Sequence, residues 1–233
     1  MRSSSWQALG NAYVLVEAAG EPLEADRVRV LAQGTDGVLE VVSADTSPLE
    51  VVIWNADGSR AELSGNGTRI VATWYLGQTG AREVRIRVGA REVGARLLAS
   101  GEIEQELGAV DVLPVETIDG VTVTPVLVGN PHAVVIGDPD EIERLGPLLE
   151  THPRFPDRTN VQVARVDRPG LVTARVWERG VGETRSSGTS AVAVAAATHD
   201  SGEVLVRFPG GELRVTLDQG HARLTAPPAT RVA

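Results

Sequence analysis

Cysteine and lysine are both missing from this chain of 233 residues, whose 22 basic residues are all arginine. Without cysteine there are no disulfides, thiolate metal sites or thiol nucleophiles, and the redox compartment leaves no mark on the sequence. Without lysine no Schiff base can form with pyridoxal phosphate or a carbonyl substrate, so lysine-anchored cofactor chemistry is excluded and no cofactor is expected. Long apolar runs are missing too. No stretch approaches the roughly 18 to 20 residues of a membrane span, and Met1-Arg-Ser-Ser-Ser-Trp lacks the apolar core of a signal peptide. Cytoplasmic residence without membrane association is the expectation. The net charge is -9 with no basic block, which lacks the electrostatic footprint of a nucleic-acid binder. His132, His152, His199 and His221 show no metal spacing such as H-E-x-x-H and read as surface or structural residues, so no metal is expected.

What remains is strand-rich. Apolar β-branched runs occur at 12–16, 38–42, 51–54, 84–88, 121–128, 133–136, 161–166, 172–177, 204–208 and 213–217. Between them, 23–33, 66–77, 139–149 and 188–199 have helical length and apolar spacing. The last is nearly all alanine and valine, so it should be buried on every side. Two buried central helices, each with its own strands, predict an α+β fold of two pseudo-symmetric domains, each a mixed sheet wrapped around a helix. The divide is expected near 113–119, giving domains 1–115 and 116–233, with the last few residues able to pack back on the first. An exposed strand edge in either half could support a homodimer.

Two segments begin a helix with the same chemistry: Ser64-Gly-Asn-Gly67 in the first half and Ser187-Gly-Thr189 in the second. Each sets a serine at a strand-to-helix corner, followed by backbone N–H groups at a helix start, an arrangement that binds carboxylate or phosphate. Two such corners, one per half, suggest a small anion held between facing helix ends with a side-chain oxygen on each side, the geometry of inversion at carbon. Competing motifs fail. Gly180-Val-Gly182 lacks the third glycine of a dinucleotide loop, and neither a P-loop nor a G-x-S-x-G elbow is present. His199 lies a dozen residues down the helix from Ser187, about 18 Å away, too far for a local triad.

Eight motifs in order then identify a family: Leu9-Gly-Asn11, Thr35-Asp-Gly37, Asn55-Ala-Asp-Gly-Ser59, Ser64-Gly-Asn-Gly67, Gly129-Asn-Pro-His132, Arg158-Thr-Asn160, Trp177-Glu-Arg-Gly-Val-Gly-Glu-Thr184 and Ser187-Gly-Thr189. Along its whole length the chain resembles diaminopimelate epimerases, cofactor-independent enzymes that interconvert LL- and meso-2,6-diaminopimelate. The resemblance implies two similar domains with the amino-acid substrate in the cleft, flanked by one cysteine from each. Those cysteine positions fall on Ser64 and Ser187. It further implies that the α-carboxylate sits on the N–H groups of Gly65, Asn66, Gly188 and Thr189. Asn55, Asn130, Asn160, Glu178 and Arg179 would bind the distal amino and carboxylate groups, with Asn11 near the reacting end. Taken by themselves, Asn55 and Asn160 read as turn residues and Glu178-Arg179 as a surface pair.

The departures set the functional question. A thiolate is accessible at neutral pH, whereas a serine hydroxyl is not comparably ionised. With serine at both base positions, strongly reduced or absent epimerisation is expected unless Glu62, Glu183 or a water assists. Many family members have Gly-Asn-Asp where this chain has Gly10-Asn11-Ala12, and some carry a substrate-contacting glutamine at the position of Gly37. Further family cysteines are matched by the apolar Ile70 and Val192. Three functions stay open: a diaminopimelate epimerase, a same-fold isomerase or dehydratase of another amino or imino acid, and a non-catalytic amino-acid binder.

Overall fold

In the computed structural model, which describes residues 2–18, 22–44 and 47–232, the chain begins with a β-hairpin. β1 (Arg2–Ala8) and β2 (Asn11–Glu17) pair antiparallel with Ala8 opposite Asn11, leaving Leu9 and Gly10 as a two-residue turn. Both have positive φ, 49° and 88°, the mirror-image turn geometry whose twist matches that of the flanking strands. Asn11 is thereby fixed as the first residue of β2.

α1 (Ala25–Leu31) leads to β3 (Gly37–Ser43), which runs parallel to β2 with Tyr13 opposite Gly37. β4 (Leu49–Asn55) returns antiparallel to β3, and the short β5 (Arg60–Ala61) folds back on it. α2 (Gly65–Thr79) then leads to β6 (Glu83–Val88), parallel to β4, and β7 (Arg91–Leu97) and β8 (Ile103–Ala109) follow antiparallel. α2 stops at Gly80, whose φ of 70° is the left-handed cap a glycine accepts without strain. Its residues Ile70, Val71 and Ala72 are fully buried in one cluster with Leu39, Ile53 and Ile86.

The second series opens with β9 (Asp111–Val112), β10 (Glu116–Ile118), β11 (Val121–Leu127) and β12 (Pro131–Ile136). Asp138 caps a 3-10 turn over Pro139–Glu141 that passes into α3 (Ile142–Glu150). β13 (Asn160–Arg168) runs parallel to β12 with His132 opposite Asn160, and β14 (Leu171–Glu178) returns antiparallel. β15 (Gly182–Thr184) folds back on β14, and α4 (Gly188–Thr198) leads to β16 (Gly202–Phe208), parallel to β14. β17 (Gly211–Asp218) and β18 (His221–Ala226) follow. The final strand, β19 (Thr230–Val232), pairs with β1.

Contacts divide the chain into two units, one running to Glu106 and including the segment from Thr225, the other Leu107–Leu224. Each unit repeats one order of pairings: parallel across a first helix, antiparallel, then parallel across a second, buried helix. The registers make Tyr13 and His132, Gly37 and Asn160, Asn55 and Glu178, and Trp54 and Trp177 equivalent positions. The architecture is the expected α+β fold, and residues 191–195 of α4 are fully buried as their composition required. β1, β7, β8 and β18 were not among the expected strands. Their polar and charged residues alternate with buried ones, which hides them from an apolar-run criterion. Among the described residues no helix is long and apolar enough to cross a membrane.

One contact in the second unit leaves no slack. A Cβ added at Gly146 in α3 would lie 2.7 Å from Trp177 Cγ and Cδ2. Gly146→Ala should therefore destabilise the protein by about 1–3 kcal/mol through overpacking, read as a lower urea midpoint. An unchanged midpoint would show that the indole moves aside without cost.

Candidate active site

The first helix start is built by side chains from several elements. Ser64 holds an extended backbone (φ -136°, ψ 117°) as the N-cap of α2, and its Oγ accepts from Gly67 N at 3.0 Å. Its carbonyl accepts from Thr68 N and Thr68 Oγ1, each at 2.9 Å. Glycine is needed at 67 by this close approach, since a Cβ would lie 2.9 Å from Leu39 Cδ2 and 3.2 Å from Ser64 Oγ. The buried Gly65 and Asn66 form the first turn, where helix N–H groups lack intrahelical acceptors and favour an anion. Arg69 Nη2 donates to Asn66 Oδ1 at 2.8 Å, and Asn66 Nδ2 donates to Asn11 Oδ1. This chain fixes the sense of both amides. Arg69 is fully buried, which lowers its pKa to about 10 and still leaves a cation one turn into the helix. Tyr13 Oη lies 3.3 Å from Ser64 Oγ.

Asn55 is occupied differently from the other residues of the expected site. It ends β4, its Nδ2 donates to Ser59 Oγ at 2.9 Å, and its N–H donates to Ser59 O at 2.8 Å. In this structure its side chain closes a turn.

The second helix start is arranged around a histidine. Ser187 (φ -148°, ψ 130°) is the N-cap of α4 but makes no capping hydrogen bond, and it is buried with Gly188, Thr189 and Ser190. Gln162 Nε2 donates to Ser190 Oγ at 2.9 Å and lies 3.0 Å from His132 Nδ1. His132 Nε2 lies 2.9 Å from Asn130 Oδ1. With the Gln162 amide donating to Nδ1, the ring is neutral and its Nε2–H donates to Asn130. Burial is the main cause that drives the His132 pKa down to about 3, with the Arg179 charge adding to it. Asn160 bridges two segments, its Oδ1 accepting from Arg179 N and its Nδ2 donating to Pro131 O, each at 3.0 Å. Thr184 Oγ1 donates to Glu178 Oε1, and Arg179 Nη1 donates to Asp157 O at 3.1 Å.

Behind this cluster stands Glu150, the buried last residue of α3. Its Oε1 accepts from Gly180 N and Arg158 Nη2, both at 2.7 Å, and its Oε2 accepts from Trp177 Nε1 at 2.8 Å. It ties down the turn that carries Glu178 and Arg179. In the second unit Asn160 thus bonds to Pro131 and Arg179, Asn130 to His132, and Glu178 to Thr184, with His132, Gln162 and Glu150 as supports that the sequence did not assign to the site. His132 carried a signal in the motif Gly129-Asn-Pro-His132. Gln162 and Glu150 carried none, because only the packing shows which buried polar groups they satisfy.

A protein-family model described as Diaminopimelate epimerase matches residues 124–229. The diaminopimelate epimerase of Desulforudis audaxviator is 34% identical over 268 residues, covering 97% of this chain and 96% of that relative. The chain belongs to the diaminopimelate epimerase family. The diaminopimelate epimerase of Acidiphilium cryptum is 33% identical over 252 residues, covering 94% of this chain and 90% of that relative. The fold is shared with the crystal structure of a phenazine biosynthesis protein of the PhzF family from Bacillus anthracis, with a TM-score of 0.74 and 14% identity over 99% of this chain and 96% of that one.

Within this family the two N-cap serines differ in chemical state. Ser64 spends one lone pair on Gly67 N, whereas Ser187 caps nothing. Glu183, a candidate helper for serine, is committed elsewhere: Arg175 holds both its oxygens, Nε at 2.7 Å and Nη2 at 2.8 Å. A bidentate guanidinium engages both carboxylate oxygens as acceptors and fixes their orientation.

The neutral His132 makes stability depend on acid. Its folded pKa is about 3 against an ordinary value of 6.5, so the unfolded chain binds the extra proton between those values. The stabilisation is complete above pH 6.5 and is lost as pH falls toward 3, with a slope of up to ~1.4 kcal/mol per pH unit. The urea midpoint should drop across that window, and His132→Asn should flatten the drop. A midpoint that stays level from pH 6.5 to 4 would contradict a buried neutral imidazole.

Proposed function

We propose that this chain is a diaminopimelate epimerase-type protein that inverts LL- to meso-2,6-diaminopimelate without a cofactor, slowed by serine at both base positions. The observation that carries this reading is the family relationship along almost the whole chain, with both glycine-rich helix starts and the Asn160–Glu178–Arg179 cluster retained. The N–H groups of Gly65, Asn66, Gly188 and Thr189 receive the α-carboxylate. As the α-proton leaves, charge spreads onto that carboxylate, and preorganised N–H dipoles stabilise it there more than in the ground state. Ser64 and Ser187 stand where proton donor and acceptor are required. Asn130, Asn160, Glu178 and Arg179 take the distal amino and carboxylate groups, with Asn11 beside the reacting end and Asn55 released from its turn to join them. A cytoplasmic location and a homodimer formed through an exposed strand edge belong to the same reading.

A second reading, a non-catalytic amino-acid binder, is favoured by one observation: Ser64 Oγ is used as a helix cap, accepting from Gly67 N. A thermal-shift panel with stereochemical analysis separates the two. Diaminopimelate should stabilise the protein, by about 2.7 kcal/mol at a hundredfold excess over Kd, and a proline analogue should not. Chiral chromatography should then show slow LL-to-meso conversion by the unaltered chain and at least a hundredfold faster conversion by Ser64→Cys/Ser187→Cys, within the range of acid–base contributions. Stabilisation without conversion in the unaltered chain would select the binder. Stabilisation by the proline analogue alone would select a different substrate.

A further inference from the structure

We propose that Tyr13 is the proton acceptor behind Ser64, so that a Ser64–Tyr13 pair does in this chain what a single thiol would do. The inference rests on the diaminopimelate reading and deepens it. Tyr13 Oη lies 3.3 Å from Ser64 Oγ. Ser64 Oγ already accepts from Gly67 N at 3.0 Å, so its hydroxyl proton is free to point toward the phenol oxygen, the orientation a relay requires.

The surroundings support a placed ring. Tyr13 packs partly buried against the core that surrounds α2. Its partner across the parallel pair is Gly37, where a Cβ would lie 3.2 Å from Tyr13 Cε1 and 2.0 Å from Trp54 O. Any side chain at 37 would crowd the ring. The glycine at 37, where some family members carry glutamine, and the tyrosine beside Ser64 therefore form a single arrangement. At the equivalent position of the second unit stands His132, held neutral by burial and hydrogen-bonded to Gln162 and Asn130, with no comparable contact to Ser187. The pair is specific to the first unit.

The chemistry follows from acidity. A free phenol ionises near pH 10 and a free thiol near 8.5, so at pH 7 about one phenol in a thousand is ionised, roughly thirtyfold fewer than thiols. An aliphatic hydroxyl alone is far less ionised still. The step balances without a further reactant. The α-carbon–hydrogen bond breaks, its electron pair passes into the α-carbon and carboxylate, and the proton goes to Ser64 Oγ. The original Ser64 hydroxyl proton passes to the Tyr13 phenolate, which becomes the phenol. Tyr13 acts through Ser64 and is in that sense a positioning residue that also stores the proton.

The test follows α-proton exchange of LL- and meso-diaminopimelate in D2O by proton NMR, with the full chain, from pD 6 to 10. Exchange by the unaltered protein should rise about tenfold per unit toward the phenol range and fall roughly a hundredfold or more in Tyr13→Phe. Tyr75→Phe should exchange like the unaltered protein. With Ser64→Cys present, adding Tyr13→Phe should change exchange by less than about threefold, because a thiolate takes the proton itself. The chain has two tyrosines, so the phenolate absorbance lost in Tyr13→Phe reports Tyr13 ionisation directly and should coincide with the rise in exchange. A diaminopimelate thermal shift retained in Tyr13→Phe shows that fold and binding survive the change. Equal exchange with and without the phenol, or no exchange by an unaltered protein that binds diaminopimelate, overturns the proposal. Absence of any diaminopimelate shift, with Ser64→Cys/Ser187→Cys inactive as well, overturns instead the functional reading on which it rests.

Discussion

A helix that starts inside a protein brings backbone N–H groups that the helix itself cannot satisfy, and both central helices of this chain start that way. Gly65 to Arg69 and Gly188 to Ser190 are all buried. Much of the local structure answers that demand. Ser64 turns its Oγ to Gly67, glycine is retained where the serine approaches, and Gln105 holds Gly65 O and Thr68 from below, at 3.1 and 2.7 Å. No acidic residue sits in the first turn of either helix. The potential at these starts is left positive, as an anionic ligand needs.

The two units answer the same demand with different side chains. In the first, a buried arginine, two asparagines and a tyrosine surround the serine. In the second, a neutral histidine between Gln162 and Asn130 takes the place of the tyrosine, and Glu150 braces the turn after β14. Each unit also anchors its equivalent tryptophan to a buried glutamate: Trp54 Nε1 donates to Glu40 at 2.9 Å and Trp177 Nε1 to Glu150 at 2.8 Å. The glutamates come from different elements, β3 and the end of α3, so the same physical requirement was met twice by unrelated positions.

Serine at both N-cap positions suits this scaffold. Serine caps a helix at least as well as cysteine, since its oxygen is a strong acceptor. What changes is acidity, and acidity is decided by neighbours. Glu183 looked available along the chain but is spent on Arg175. Tyr13, from a strand more than fifty residues before Ser64, stands close to the hydroxyl.

Local chemistry determined a good deal without help. The buried helix over Gly188–Thr198 followed from an alanine–valine run that no solvent-facing helix would carry, and the serine corners followed from N-cap preference beside glycine. Ser64 and the glycines after it were legible because capping acts over three residues, and Ser187 was legible from the matching Ser-Gly start of the second helix, although its side chain makes no cap. Asn130, Asn160, Glu178 and Arg179 were legible only through family motifs, and the structure ties Asn160 to Pro131 and Arg179 by bonds between residues far apart in sequence. Asn55 read as a turn residue and closes a turn. What the tertiary structure alone decided was partnership. His132 became neutral, Glu150 became a brace, Gln162 became a donor to two groups, and Tyr13 met Ser64. Each outcome depends on which strands pair and in what register, and register is fixed by burying one face of a whole sheet, a sum over many residues that no short stretch of sequence contains.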